Sequence, residues 1–267
     1  MKKLLTLTIV IILSLGAFAG CSSSNSSDES KKTIKVGATP VPHAEILEHA
    51  KPLLEAKGYK LEIVEFTDYV TPNTALAEGE LDANYFQHIP YLEEFNKEKG
   101  LNLEYTAKVH IEPMGIYSKK TEDLASLADG ATIAVPNDPT NGARALRVLE
   151  AAGLIKVAEG DLVSKLDITE NPKNFVIEEL EAAMLPRQLD NVDAAVINAN
   201  YALEAGFNPA ADALALESSD SPYANILVAR ADNKDSEAIK ALSEVLNSPE
   251  IKKFIEENYK GSIIPVF

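Results

Sequence analysis

Two stretches of this chain follow one grammar, and that repetition limits the fold more than any other feature. They read "VGATPVPHAEIL" from Val36 and "AVPNDPTNGARAL" from Ala134. Each begins as a buried-type strand, passes a turn holding Pro beside Thr, and enters a helix. Each is followed later by Asp-Ala at the head of another strand, in "LDANYFQ" and "VDAAVIN". Alternating strands and helices imply sheets rich in parallel pairs, covered by helices on both faces. Two such runs within 267 residues make two modest lobes. Long extended segments near Tyr117 and Tyr223 join the runs. The expected division is therefore 33–116 with 225–267 in one lobe, and 117–224 in the other. The expected fold is α/β and two-lobed, with parallel-dominated sheets. Ligands of open α/β sheets bind beyond the carboxyl ends of the strands, so two facing lobes share a cleft.

The N-terminus stands outside this pattern. "MKKLLTLTIVIILSLGAFAGC" has two lysines, an apolar run from Leu4 to Leu15, and small residues before Cys21. That is the layout of a secretory signal peptide over residues 1–20. The apolar run is shorter than the roughly 20 residues of a membrane-spanning helix. Cys21 is the only cysteine, and its setting is similar to a bacterial lipobox, in which the cysteine is lipidated and becomes the first residue of the mature chain; Phe18 stands where Leu is usual. A lipidated Cys21 leaves no thiol for a disulfide, a redox centre or a nucleophile. "SSSNSSDESKK" then forms a polar tether, so that 21–32 leash the folded part to a membrane.

The charge narrows the classes of partner. Asp and Glu number 41 against 25 Lys and Arg, a net charge of −16. Nucleic acid requires a basic footprint, and anionic lipid surfaces attract basic segments. Neither is expected here.

Arg144 is the residue that asks for a ligand. It follows Asn141 and Gly142 in the first turns of a helix, where the backbone already carries positive partial charge. An anion bound there answers both the helix N–H groups and the guanidinium, whose planar fork fits a carboxylate. The competing reading pairs Arg144 with a protein carboxylate such as Asp138, or leaves it in solvent. Asp138 or Thr140 is expected to cap the helix, and Gly142 to let a ligand approach the backbone. The absence of GxxxxGK[ST] and GxGxxG patterns favours a carboxylate over a phosphate.

A second cluster is "NYFQHIPY". Strand alternation puts Phe86 and His88 on one face, with Tyr85 and Gln87 on the other. Tyr69, at the end of the "KLEIVEF" strand, completes an aromatic wall, or these are core aromatics beside a surface histidine. Asn198 and Asn225 lie near the ends of "VDAAVIN" and "YANILVAR", where amides can serve an amino-acid backbone. His43, His49, His88 and His110 are scattered, without HExxH or CxxC spacing, and no GxSxG turn is present. The expectation is a binding protein with no catalytic group, cofactor or metal.

The lipobox, "DANYFQHIPYLEEFN", "VPNDPTNGARAL" and "YANILVAR" together resemble the methionine-binding lipoproteins of bacterial ABC importers, the MetQ/NlpA lipoprotein family. The likeness runs from the signal peptide to the C-terminus. It implies a two-lobed solute-binding fold of type II, anchored by lipid on the extracytoplasmic face of the cell membrane. The implied partners are methionine, a permease and its ATPase, and the implied state is a monomer. It also implies that Arg144 holds the ligand carboxylate beside Asn141, and that Tyr69, Phe86 and His88 surround the thioether chain. Asn225, Asn198 and His110 are implied as further contacts. The chemistry agrees: thioether sulfur gains from aromatic neighbours, and a buried zwitterion needs both charges satisfied. D-methionine, a methionine-containing dipeptide or another apolar amino acid fits the same scaffold. Rival classes are a surface interaction lipoprotein and an extracytoplasmic enzyme, which would need a nucleophile or metal near Arg144.

Overall fold

A computed structural model describes residues 32–267. The expected signal peptide, Cys21 and the tether up to residue 31 lie outside the described residues, and Lys32 opens the first strand. Among the described residues no helix is long and apolar enough to cross a membrane.

The first run is β1 (Lys32–Ala38), α1 (Glu45–Ala56), β2 (Tyr59–Glu65), α2 (Thr71–Ala77), β3 (Ala83–His88), α3 (Ile89–Lys99) and β4 (Leu103–Ile111). The second is β5 (Gly115–Tyr117), β6 (Thr132–Pro136), α4 (Pro139–Ala151), the ribbon β7 (Lys156–Val157) and β8 (Ile168–Glu170), β9 (Val176–Leu180), α5 (Leu185–Gln188), β10 (Ala194–Ile197), α6 (Ala199–Glu204), α7 (Pro209–Asp212) and β11 (Ala215–Leu216). The chain then returns through β12 (Ala224–Arg230), α8 (Glu237–Leu246), α9 (Pro249–Tyr259) and β13 (Ile264–Pro265).

Local chemistry sets the ends that matter for the site. The His88 side chain caps α3 by accepting from the Tyr91 N–H, and Gly100 closes that helix at φ 65°, a left-handed conformation that suits glycine. Asp138 caps α4 by accepting from the Asn141 N–H at 2.9 Å. Each lobe then buries its own core. Ile34, Val36, Ile46, Leu47, Leu54 and Leu242 form one, and Ile133, Val135, Leu146, Leu149 and Val196 the other. Burying one such side chain contributes about 1.5–3 kcal/mol, so each core locks its sheet to its helices.

The strands form a six-stranded sheet, β13-β4-β12-β3-β1-β2, and a five-stranded sheet, β11-β5-β10-β6-β9. The two-lobed α/β class stands, but the sheets are mixed rather than dominated by parallel pairs. β1 is parallel to β2 and β3, and β6 to β9 and β10. The other pairs in both sheets are antiparallel. The path of the chain explains this. β4 leads out to the second sheet, and β12 comes back alongside it, with Ala224 opposite Ile111, so the two must run in opposite directions. The outward crossing spans residues 112–114 and the return spans 217–223, side by side at one end of both sheets.

Candidate functional site

The ends of β3, β4 and β10 and the first turns of α4, which follows β6, meet at a cavity between the two sheets. Its walls hold seven of the eight residues expected from the sequence: Tyr69, Phe86, His88, Asn141, Arg144, Asn198 and Asn225. His110 stands one layer back. It is fully buried, accepting from the Tyr85 hydroxyl at Nδ1 and facing Glu112 Oε1 at 2.7 Å with Nε2. Gln87, Tyr91, Glu112, Ala199 and Asn200 also line the cavity.

β3 does not alternate strictly. The register against β12 slips between Ile226 and Leu227, so Gln87 faces Ile226, Tyr85 faces Leu227, and Phe86 has no partner. The bulge re-aims the strand end, as bulges do beside sites. Phe86, His88 and Gln87 all reach the cavity, while Tyr85 stays in the first core. Gln87 is held there by Asn73 and Asn84 through a closed set of amide bonds.

Arg144 is 2% exposed and paired with a protein carboxylate, though not Asp138. Glu217, on the return crossing, takes its Nε at 3.1 Å and its Nη2 at 2.5 Å. Nη2 also donates to the Glu112 carbonyl at 2.6 Å, and the Tyr223 ring covers the guanidinium with its centroid 4.3 Å from Cζ. Among the described residues nothing accepts from Nη1. Asp138, meanwhile, occupies the helix N-terminus, so the anion that complements the helix end belongs to the protein. Gly142 serves packing rather than ligand approach: a Cβ there would sit 2.9 Å from the Pro136 carbonyl oxygen, where β6 ends.

Behind Arg144 lies a buried polar chain. The Asn200 N–H donates to Glu112 Oε2 at 3.1 Å, while the Nε2 atoms of His43 and His110 face Oε1 at 3.1 and 2.7 Å. His43 Nε2 also faces Asn225 Oδ1, so two acceptors place its proton on that nitrogen. Its Nδ1 accepts from the Thr39 hydroxyl. Burial holds the imidazoles neutral, lowering His43 to about 4 and His110 to about 3. His88 falls to about 3, first through burial and then through the charge on Arg144. Burial raises the Glu112 carboxyl, opposed by His43, Arg144 and the Asn200 N–H. The ligating atoms of His43, His110 and Glu112 lie within 4.8 Å of one another, close enough for a metal ion, but each is already engaged in this network.

Two buried amide atoms on the wall have no partner: Asn198 Oδ1, an acceptor, and Asn200 Nδ2, a donor. Their companion atoms are fixed. Asn198 Nδ2 donates to Asn141 Oδ1 at 2.7 Å, and Asn200 Oδ1 accepts from the Tyr69 hydroxyl at 2.6 Å. A buried unpaired polar atom costs about 1–3 kcal/mol, so both are poised for a guest that can donate to one and accept from the other. Beside the amides, joined to them through Tyr69, lies an aromatic group. Phe86 and Tyr91 meet edge to face at 6.1 Å, and Tyr69 lies 6.0 Å from each.

Two α/β lobes with a pocket between them, lined by buried amides, Arg144 and Glu112 and by the rings of Tyr69, Phe86 and Tyr91, define a solute-binding protein. The family model of the NlpA lipoproteins matches residues 34–267, and the chain belongs to that family. It is 46% identical to the methionine-binding lipoprotein MetQ of Bacillus subtilis (strain 168), with 100% of this chain and 99% of that protein covered. A solved nutrient binding protein from Burkholderia cenocepacia, bound to methionine, is 47% identical with a TM-score of 0.85, covering 88% of this chain and 100% of the other. An ABC transporter periplasmic substrate-binding protein from Coxiella burnetii is 43% identical with a TM-score of 0.84, covering 87% and 100%.

Sequence reasoning left Glu112, Asn200 and Tyr91 unassigned. Glu112 carries a signal in retrospect, as a lone acid inside the apolar run "VHIEPMG". Tyr91 sits within the quoted "NYFQHIPY", one helical turn past His88. Glu217 lies in "ESSDSPY", which reads as an ordinary polar loop.

Proposed function

We propose that this chain captures L-methionine and delivers it to an ABC importer built of a permease and an ATPase, working as a monomer from a lipid anchor at Cys21 on the extracytoplasmic face of the membrane. One observation carries the reading: an unpaired acceptor and an unpaired donor, Asn198 Oδ1 and Asn200 Nδ2, share a cavity with Arg144 and an aromatic wall. The ligand ammonium donates to Asn198 Oδ1 and is balanced by Glu112. The carboxylate accepts from Asn200 Nδ2 and Arg144, beside Asn141. The thioether lies against Tyr69, Phe86 and Tyr91, where sulfur–ring contacts contribute about 0.3–1.5 kcal/mol each. His88 and Asn225 complete the polar contacts, and His110 acts through Glu112. Methionine bound to the Burkholderia relative supports the choice of ligand.

Residues 33–116 with 225–267, and 117–224, are the two bodies that we assign to a hinge about the side-by-side crossings. The binding role needs no catalytic group. The deciding experiment is native purification without refolding, mass spectrometry of the released ligand, and calorimetry with both enantiomers. L-methionine in the released fraction, with submillimolar binding of that enantiomer, is expected. A chain that carries and binds neither enantiomer overturns the reading.

A further inference from the structure

A second space adjoins the cavity. It is an open crevice between α3 and the start of α4, with buried Phe95 and exposed Pro139 as its apolar lining, and with Val70, Glu94, Glu98, Lys99, Asp138 and Thr140 around them. Of all the residues lining the two spaces, only Tyr91 belongs to both. Its ring is 8% exposed and tightly held. The hydroxyl donates to the Tyr69 carbonyl at 2.9 Å, Phe95 stacks on it at 6.0 Å from the crevice side, and Phe86 meets it edge-on from the cavity side. Tyr91 is thus a fixed partition between the cavity and the crevice.

From this geometry we infer that Tyr91 sets the length of the ligand side chain, and that the crevice behind it is a subsite for the tail of a longer neutral thioether once the ring is cut back. The inference rests on the reading of the cavity as an amino-acid site, with the α-carbon at the polar groups and the side chain pointing at the ring. A side chain that stops at the partition keeps its terminal carbons against aromatic carbon. A longer one must displace a ring anchored by a hydrogen bond and packed against the rings of Tyr69, Phe86, His88 and Phe95, and cores close-packed in this way yield poorly. Around the crevice Glu94 is already paired with Lys97 and Glu98 with Lys99, and the apolar surface of Phe95 and Pro139 makes neutral alkyl tails the matching class.

The test titrates L-methionine and S-butyl-L-homocysteine into the full chain and into its Tyr91→Leu and Tyr91→Ala variants by calorimetry. The wild-type chain should prefer methionine. The ratio of the two affinities should move toward the butyl ligand by about tenfold or more in Tyr91→Ala, the range of one or two methylenes in an apolar pocket, and by less in Tyr91→Leu. A general loosening of the site would weaken both ligands together and leave the ratio alone. If Tyr91→Ala does not fold, Tyr91→Leu carries the comparison. An unchanged ratio in a variant that still binds methionine overturns the partition while leaving the methionine reading intact. A wild-type chain that binds neither ligand overturns both.

Discussion

Arg144 and Glu217 form a two-pronged ion pair, Nε 3.1 Å from Oε1 and Nη2 2.5 Å from Oε2, joining α4 to the return crossing. This pair alters what a ligand must do. The guanidinium is not a bare charge awaiting an anion. Its charge is already shared with Glu217, Tyr223 covers it, and only Nη1 remains without an acceptor among the described residues. Two carboxylates, one from the protein and one from the ligand, would compete for one cation. Arg144→Ala should weaken methionine binding by about 2–5 kcal/mol, the cost of truncating one partner of a buried charge pair. Glu217→Gln keeps the shape and one acceptor but removes the rival charge. That variant should be less stable without ligand by about 1–3 kcal/mol and bind methionine more tightly. Denaturant unfolding and calorimetry on both variants check this; weaker binding in Glu217→Gln would show that the pair positions Arg144 more than it competes for it.

Asn200 supplies a sharper test of the polar contacts. Its Nδ2 is unpaired, while its backbone N–H is committed to Glu112. Asn200→Asp changes that donor into an acceptor without changing its size, and sets a second anion near Glu112. The expected result is a loss of methionine affinity of at least about 2 kcal/mol, since a buried donor becomes an unpaired charge facing the ligand carboxylate. Calorimetry reads the affinity, and a thermal scan confirms that the variant folds. Unchanged affinity would place the carboxylate elsewhere.

How far the sequence foretold this site depends on distance along the chain. Asp138 as a cap and Arg144 on the first turns of α4 follow from adjacent residues, and Phe86 and His88 from the end of β3, whereas Tyr69 lies four residues past the end of β2, just before α2. The partner of Arg144 was not legible, because Glu217 lies 73 residues away in a loop of ordinary polar composition. Glu112 and Asn200 gain meaning only when the outward crossing and the start of α6 are brought together. The same limit applied to the sheets. "YANILVAR" announces a strand, but not that it slips between β3 and β4 against both, which makes the sheet mixed. A sequence pattern reports the period of an element and not its neighbours. Gly142 was misread for a related reason: its constraint comes from Pro136, across the turn.

That contact gives a stability prediction in which two effects oppose. In a helix, replacing glycine by alanine gains about 1 kcal/mol from reduced backbone freedom. Here the new Cβ would sit 2.9 Å from the Pro136 carbonyl oxygen, a backbone atom that cannot swing aside. Overpacking a tight site costs about 1–3 kcal/mol, so the clash should win. Gly142→Ala should therefore lower the denaturant midpoint, and a raised midpoint would show that α4 can lift off the end of β6.

Acidification should destabilise the protein through its buried imidazoles, and His43 allows the effect to be isolated. Burial lowers its pKa to about 4, with His110 adding to the shift and Glu112 opposing it. In the unfolded chain it returns to about 6.5. The unfolded state therefore binds the extra proton between these values. The stability contributed by neutral His43 is fully present above about pH 6.5 and is lost as the pH falls toward 4. Each such proton gives a slope of about 1.4 kcal/mol per pH unit. Glutamine can keep the bond to Glu112 but does not titrate. His43→Gln should therefore show a shallower loss of stability, by about one proton's slope, in urea unfolding across pH 6 to 4.5. The net charge of −16 relaxes on acidification in both proteins alike, so it cancels from the comparison. Equal slopes would mean that His43 is protonated in the folded state, and that Glu112 holds it as a charged partner rather than as a neutral donor.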